Sequence, residues 1–173
     1  MALHTSIRIL TAHKLMVVFV LAVSLLFVSP HSFACSCAAY PADEAKAVAM
    51  AYGLADAVFL GIVTGVRSNR LQPLSVRDAT FEVTSSWKGL SSYDGAVVRS
   101  ANGELACGFN FRKSSRYLVF AHWDAEQGIL WTNMCELTRK ESEATGLIKL
   151  LNDLNEQEEA DHQDIDKDPT QPR

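Results

Sequence analysis

The sequence has few of the residues from which most catalytic sites are built. Of its 173 residues only five are histidine and four are cysteine. It contains no G-x-S-x-G, H-E-x-x-H or phosphate-loop motif, so common hydrolase, zinc-protease and nucleotide-binding chemistry has no signature here. Beyond residue 34 the only histidines are His122 and His162. A lone strand histidine such as His122 is usually a packed or surface residue. We therefore expect a protein that is not an enzyme and uses no cofactor.

Hydrophobic runs long enough to span a membrane are lacking as well. The longest run, 15–29, has 15 residues, whereas a spanning helix needs about 18 or more. Arg8 and Lys14 precede this run, and small residues follow it. The order of basic, apolar and small residues predicts a secretory signal peptide over residues 1–34, with an uncleaved membrane helix as the alternative. We expect a secreted, periplasmic or otherwise extracellular protein.

The expected cleavage point lies between Ala34 and Cys35, which makes Cys35 the first residue of the mature chain. Ser32 and Ala34 occupy the small-residue positions of the cleavage site. A cysteine in this place can also receive a lipid anchor. That modification normally needs an apolar residue three positions earlier, where this chain has Ser32. An unmodified N-terminus at Cys35 is the preferred interpretation, and no membrane span is expected after cleavage.

Positive charge is scarce in the predicted mature chain. All 20 acidic residues lie in it, but Arg8 and Lys14 are lost from the 16 basic residues, which leaves a formal net charge of −6. Residues 155–173 carry most of the excess acid. We expect them to form a disordered acidic tail behind a domain over residues 35–154. The chain has no basic stripe of the kind that binds nucleic acid, so nucleic acid is not an expected partner.

The four cysteines, Cys35, Cys37, Cys107 and Cys135, all lie in the predicted mature chain. An even number in an exported protein indicates two disulfides, and four cysteines allow three pairings. A bond between Cys35 and Cys37 would close a strained ring, which leaves two cross-chain pairings open. A zinc ion on four thiolates is the weaker alternative, because structural zinc sites normally use paired C-x2–4-C ligands.

The middle of the chain alternates between apolar and polar residues as β-strands do. Ala79, Phe81 and Val83 fall on one side of such a strand, and polar residues fall on the other. Gly61 and Gly65 predict bends or bulges in the first strand, which a small closed barrel needs. The expected strands lie over 56–67 and, after a polar loop at 68–75, over 78–89, 95–101, 116–123 and 128–137.

A helix is predicted on either side of the strands. The first, over 41–53, has a proline at its start and a glycine at its end. Its expected apolar face consists of Ala45, Val48, Ala49 and Tyr52. The second opens with Thr138 and Glu141 in capping-box spacing and continues into a leucine-rich stretch. Five strands and two helices favour a mainly β, small closed barrel, with a two-sheet sandwich as the alternative.

Four short motifs occur in an order that is typical of one extracellular module. They are CSC at 35–37, a helix followed by ADAVFLGIV, the stretch CGFNFRKSSRYLVFA at 107–121, and Cys135 before a helix. In this combination the chain resembles the netrin-like module, whose best-known members are the tissue inhibitors of metalloproteinases. The resemblance covers Cys35 to about Asp153. It implies an OB-type five-stranded barrel with an N-terminal and a C-terminal flanking helix.

The resemblance implies one particular disulfide pattern. In the family the first N-terminal cysteine pairs with the cysteine of the CG motif, and the second pairs with the late cysteine. This correspondence implies the disulfides Cys35–Cys107 and Cys37–Cys135. The animal inhibitors also have a further disulfide in this module and a second, disulfide-rich domain, for which this chain has no cysteines.

The resemblance also implies a protease-binding ridge at the mature N-terminus, made of Cys35, Ser36, Cys37, Ala38 and Ala39. The α-amine and carbonyl oxygen of Cys35 would chelate the catalytic zinc of a target metalloprotease, and Ser36 would point into the adjoining pocket. The alternative is a non-inhibitory interaction or structural module of the cell envelope or extracellular space. In that case the CSC motif would only fix the N-terminus to the barrel, and the partner would be another envelope or extracellular protein.

Overall fold

The computed structural model describes residues 35–71, 74–91, 95–103 and 106–166. The predicted signal peptide, 1–34, and the last part of the expected tail, 167–173, lie outside the described residues. Within the described part of the chain, no helix combines the length and the hydropathy needed to cross a membrane.

Six strands and two α-helices follow one another in the described residues. Their bounds are α1 (Glu44–Leu54), β1 (Ala57–Leu71), β2 (Leu74–Lys88), β3 (Gly95–Ala101), β4 (Arg116–Asp124), β5 (Ile129–Trp131), β6 (Arg139–Lys140) and α2 (Thr145–Asp166). A single 3₁₀ turn, Glu141–Glu143, precedes α2. The prediction of a mainly β protein with a helix on either side of the strands is confirmed.

Five of the strands pair in a closed ring. The order is β1–β2–β3–β5–β4, and β4 returns to β1. The pairs are antiparallel except for β3 with β5, which is parallel. The register between β1 and β2 shifts at Leu60/Gly61 and at Val63/Gly65, so the irregularities predicted from the two glycines are confirmed. Bulges of this kind bend a strand, and β1 pairs with both β2 and β4. The five strands therefore form one ring and not the two separate sheets of the sandwich alternative.

Three strand ends differ clearly from the prediction: the end of β1, the start of β2 and the end of β5. β1 and β2 extend into the expected polar loop at 68–75 and stay paired as far as Leu71 and Leu74. Backbone hydrogen bonds hold this hairpin arm, so its side chains can be polar. β5 ends at Trp131, and Cys135 therefore lies in a turn after the strand and not at its end.

The core inside the ring is rich in aromatic rings that meet edge to face. Phe81 packs against Phe59 and Phe111 with centroid distances of 5.4 and 5.0 Å, and Phe111 meets Tyr117 at 5.1 Å. This geometry suits the quadrupoles of the rings and adds to the hydrophobic gain. The buried face of β2 is the one that its alternation predicted, with Ala79, Phe81 and Val83.

A second apolar cluster joins the two helices to the outside of β1 and β4. Here α1 buries a different face from the one predicted. Its buried residues are Ala47, Val48 and Ala51. Only Val48 belongs to the predicted face, whereas Ala45 and Ala49 are exposed. The alanines of α1 lie on two opposite sides of the helix, so its apolar positions define no single direction. The helix starts after Asp43, whose carboxylate accepts a hydrogen bond from the Lys46 N–H at 2.9 Å.

The capping-box spacing predicted that Thr138 caps the second helix, and this prediction is wrong. It is buried, and its hydroxyl accepts a hydrogen bond from the backbone N–H of Phe120 on β4 at 2.9 Å. The hydroxyl also lies 3.1 Å from that of Thr132, another buried residue. The hydroxyl thus bonds to the sheet, and β6 and the 3₁₀ turn separate Thr138 from the start of α2.

Helix α2 continues through residues 155–166, for which the acidic composition predicted a disordered tail. This stretch is acidic, but it is also rich in glutamate, glutamine and alanine, which favour helices. Its helix propensity therefore explains why it is helical where disorder was predicted. The Asn155 amide donates a hydrogen bond to Glu159 one turn further on, at 3.0 Å. The Tyr52 hydroxyl of α1 donates to the carboxylate of Glu158 at 3.3 Å.

A chain of polar side chains crosses the outer face from β1 to the turn after β4. Arg99 donates two hydrogen bonds to the Asp78 carboxylate, from Nε to Oδ1 at 2.6 Å and from Nη2 to Oδ2 at 2.8 Å. Asn69 donates to Asp78 and Arg99 donates to Gln127, each at 2.6 Å. The hydrogen bonds from Arg99 hold the pKa of Asp78 below its ordinary value, against the opposing effect of partial burial.

We expect Asp78→Asn to lower the free energy of unfolding at neutral pH by about 1–3 kcal/mol, because charge-assisted hydrogen bonds to Arg99 are lost. A lowered native pKa means that the carboxylate's contribution is complete above the unfolded pKa of about 3.9 and is lost as the pH falls below it. The unsubstituted protein should therefore lose stability more steeply than the variant below about pH 5. Urea unfolding at several pH values measures both slopes, with the exposed Asp153→Asn as control. Equal slopes in Asp78→Asn and the unsubstituted protein would contradict the prediction.

Candidate functional site

The N-terminal segment 35–41 is tied to the ring at both of its cysteines. The Cα atoms of Cys35 and Cys107 are 5.6 Å apart, and those of Cys37 and Cys135 are 5.2 Å apart. These are the pairs that the family resemblance implies. All four cysteines are bonded, which excludes the alternative of a four-thiolate zinc site. Among the described residues no group of three or more His, Cys, Asp and Glu side chains is arranged to hold a metal ion.

The two loops that receive these disulfides are bonded to each other. The N–H of Met134 donates to the carbonyl oxygen of Cys107 at 2.9 Å. The N–H of Cys135 donates to the side chain of Asn133 at 2.7 Å. Both disulfides therefore end on loops whose backbones are linked, and the N-terminal segment is held at two neighbouring points.

The predicted ridge faces solvent along most of its length. Ser36, Cys37, Ala38 and Ala39 are exposed, and Cys35 is half-buried. None of the five belongs to a helix or a strand. The structure thus brings the predicted ridge residues together in one exposed strip with a disulfide at each of its cysteines.

A cavity of about 200 Å³ lies beside this ridge. Its lining residues are Ala38, Ala39, Tyr40, Met50, Leu54, His122, Cys135 and Glu136. Met50 and Leu54 come from α1 and are 46% and 59% exposed, which is unusual for large apolar side chains. Exposed apolar side chains grouped at a cavity are typical of a surface that binds another protein.

Glu136 links the N-terminal segment to β4 at the polar wall of the cavity. The Tyr40 hydroxyl donates to Oε2 of Glu136 at 3.4 Å, and His122 Nε2 lies 3.2 Å from Oε1. Burial, and then the negative charge of Glu136, raises the pKa of the Tyr40 phenol. The phenol therefore remains a hydrogen-bond donor and holds the residue that follows the ridge against the sheet.

Sequence reasoning missed most of this cavity. His122 was expected to be a packed or surface residue, and it is half-buried against Glu136. Only Glu136 could have been linked to the ridge from the sequence. It follows Cys135, and a disulfide from Cys135 to Cys37 brings it close to the N-terminal segment. The exposed residues of α1 had no comparable indication, since they lie far from any cysteine in the sequence.

Comparison with known proteins assigns no family to the chain. Its sequence matches no protein-family model and no curated protein. The netrin-like resemblance and the inhibitory activity that it implies are therefore proposals.

Proposed function

We propose that this chain is an exported, TIMP-like inhibitor of a zinc metalloprotease, and that its ring of strands is an OB-type barrel. The observation that carries the proposal is the exposed ridge at 35–39, which two disulfides tie down. A ridge restrained before binding loses less conformational entropy when a protease closes around it. The strand order, with β3 and β5 parallel, supports the OB-type assignment. Two disulfides fit an oxidising compartment.

The zinc in this mechanism belongs to the target protease. A catalytic zinc has three protein ligands and one open position, which the α-amine and carbonyl oxygen of Cys35 would occupy after cleavage behind Ala34. An α-amine titrates near pH ~8, and coordination to the metal favours its neutral form. Ser36 would enter the pocket beside the zinc, and the small side chains of Ala38 and Ala39 would let the protease wall approach the ridge closely.

An added residue before Cys35 tests the proposal directly. The protein that begins at Cys35 should inhibit at least one member of a zinc-protease panel, and the same protein with one alanine added should inhibit roughly a hundredfold less or worse. We expect an effect of this size because changing a residue that only supports a metal ligand already lowers metal affinity or activity roughly 10–100-fold. Inhibition constants for both forms measure the effect, and a serine protease is the control enzyme. Intact mass and N-terminal sequencing first establish that the exported chain starts at an unmodified Cys35.

Two results would contradict the chelating role. One is that the protein beginning at Cys35 inhibits no zinc protease of the panel. The other is that the extended form inhibits as well as the native form while both have the same thermal unfolding midpoint. Matched midpoints matter, because they separate a lost zinc ligand from a disturbed fold.

A second candidate function is a non-inhibitory interaction module of the cell envelope or extracellular space. The cavity beside the ridge favours it, because Met50 and Leu54 offer apolar contact area on α1. Such a module needs no free amine. Partner binding by this surface would survive the added alanine and be lost in Leu54→Asp. Zinc chelation predicts the opposite: inhibition would be lost with the added alanine and retained in Leu54→Asp.

A further inference from the structure

A second cavity, of about 360 Å³, lies where the loop after Cys107 meets β4 and β6. It shares no lining residue with the cavity beside the ridge. Its lining combines aromatic, amide and charged side chains: Phe109, Asn110, Arg112, Tyr117, Thr138, Arg139, Lys140 and Glu143. Three of these residues are cations and one is an acid.

The three cations have no carboxylate partner among the described residues. The ion pairs in the part of the chain that the structure describes are Arg99–Asp78, Arg116–Glu141 and His122–Glu136. Arg112 and Lys140 are exposed, and Arg139 is half-buried with its Nε donating to the backbone carbonyl of Leu137 at 3.3 Å. Most of the hydrogen-bonding capacity of these side chains is therefore available to a ligand.

The backbone around Tyr117 places Arg112 and Lys140 at this cavity, whereas Arg139 shares the opposite face of the strand pair with Leu118 of the cluster under the helices. In the pairing of β4 with β6, Lys140 lies opposite Tyr117 and Arg139 opposite Leu118. The backbone N–H of Arg112 donates to the buried Tyr117 hydroxyl at 3.1 Å, which fixes the loop at the same place. Positions far apart in the sequence thus meet at one residue of the core.

Asn110 is oriented by a contact on its other side. Its Oδ1 accepts a hydrogen bond from Nη1 of Arg77 at 2.9 Å. Since the amide oxygen is used there, its NH₂ group is the part that can donate to a ligand. The cavity therefore has donors on several sides and one acidic residue, Glu143, in a protein whose net charge is −4.

We propose that this cavity binds a compact oxyanion, a phosphate or sulfate group, through Arg112 and Lys140. Cations that converge on one cavity repel one another, and an anion with several acceptor oxygens removes that repulsion. The planar guanidinium forms two parallel hydrogen bonds to such a group, and a lysine adds a point charge. Two cations at one cavity match a single compact, doubly charged group better than a long polyanion.

Calorimetric titration of the mature chain with inorganic phosphate and with sulfate tests the proposal, at an ionic strength held constant with chloride. We expect saturable binding with one site per chain. Arg112→Gln and Lys140→Gln should each weaken it roughly tenfold or more, because each removes a charge-assisted hydrogen bond. Glu143→Gln should strengthen binding by removing the negative charge. Lys149→Gln, on an exposed part of α2 outside the cavity, is the matched control and should leave binding unchanged.

Phenyl phosphate distinguishes two sources of the same anion. Binding equal to that of inorganic phosphate indicates the free ion, and tighter binding indicates a phosphorylated small molecule whose apolar part contacts Phe109. The proposal is overturned if neither phosphate nor sulfate binds more than chloride does, if only polyphosphate binds, or if Lys149→Gln weakens binding as much as Lys140→Gln. The titration involves no protease, so its outcome is separate from that of the proposed inhibition.

Discussion

Replacing both Cys37 and Cys135 by alanine is expected to lower the free energy of unfolding by about 4 kcal/mol. The two cysteines are 98 residues apart, and a crosslink over such a loop restricts the unfolded chain strongly. A domain of this size has a total stability of roughly 5–15 kcal/mol, so one disulfide carries a large share of it. Cys37 is exposed and Cys135 half-buried, so the alanines leave little empty space and the effect acts mainly through the unfolded state.

Urea unfolding without reductant measures this loss. Ser36→Ala, an exposed change between the same two disulfides, is the control and should stay within about 0.5 kcal/mol of the unsubstituted protein. Removing Cys35–Cys107, with a separation of 72 residues, should cost a similar amount because the entropy depends only on the logarithm of loop length. A loss below about 1 kcal/mol for the Cys37–Cys135 pair would contradict the argument, since the chain-entropy treatment gives several times that value.

The elements that the sequence predicted well are those decided by local periodicity. Alternation placed Ala79, Phe81 and Val83 on the buried face of β2, because one face of a strand is set by a period of two. The same reasoning failed for α1, where alanines on two opposite sides leave no preferred direction. The capping-box spacing of Thr138 was a wrong indication for a different reason: its hydroxyl bonds instead to Phe120, which is distant in the sequence.

The two candidate sites differ in how far the sequence could predict them. The ridge is one continuous stretch, 35–39, so a motif was enough to find it. The oxyanion cavity has no motif, because Arg112 and Lys140 meet only through the core residue Tyr117. The net charge of the domain does not indicate the cavity either, because the positive charge there is outweighed by acidic residues elsewhere on the surface.

Gly108→Ala should destabilise the protein by about 3 kcal/mol or more, because an added methyl group has no room. A Cβ on Gly108 would lie 1.8 Å from the carbonyl oxygen of Ala101 and 2.6 Å from its carbonyl carbon. Both are backbone atoms, so no side-chain rotation can relieve the contact. Ala101 is buried at the end of β3 and pairs with Val76 of β2. Any shift that admits the methyl group must therefore disturb either this strand pair or the loop that carries Cys107.

Gly53→Ala in α1 is the matched control for this substitution. Apart from its chain neighbours and the backbone of its own helix, no atom of the described residues lies within 4 Å of a Cβ at Gly53, and alanine favours the helix by about 0.5–1 kcal/mol. Urea unfolding should therefore show a slight gain for Gly53→Ala and a large loss for Gly108→Ala. Because the loop after β3 presents Cys107 to Cys35, the Gly108 variant should also form that disulfide more slowly from the reduced chain. A Gly108→Ala protein with unchanged stability and unchanged oxidation rate would mean that the contact with Ala101 does not position the loop.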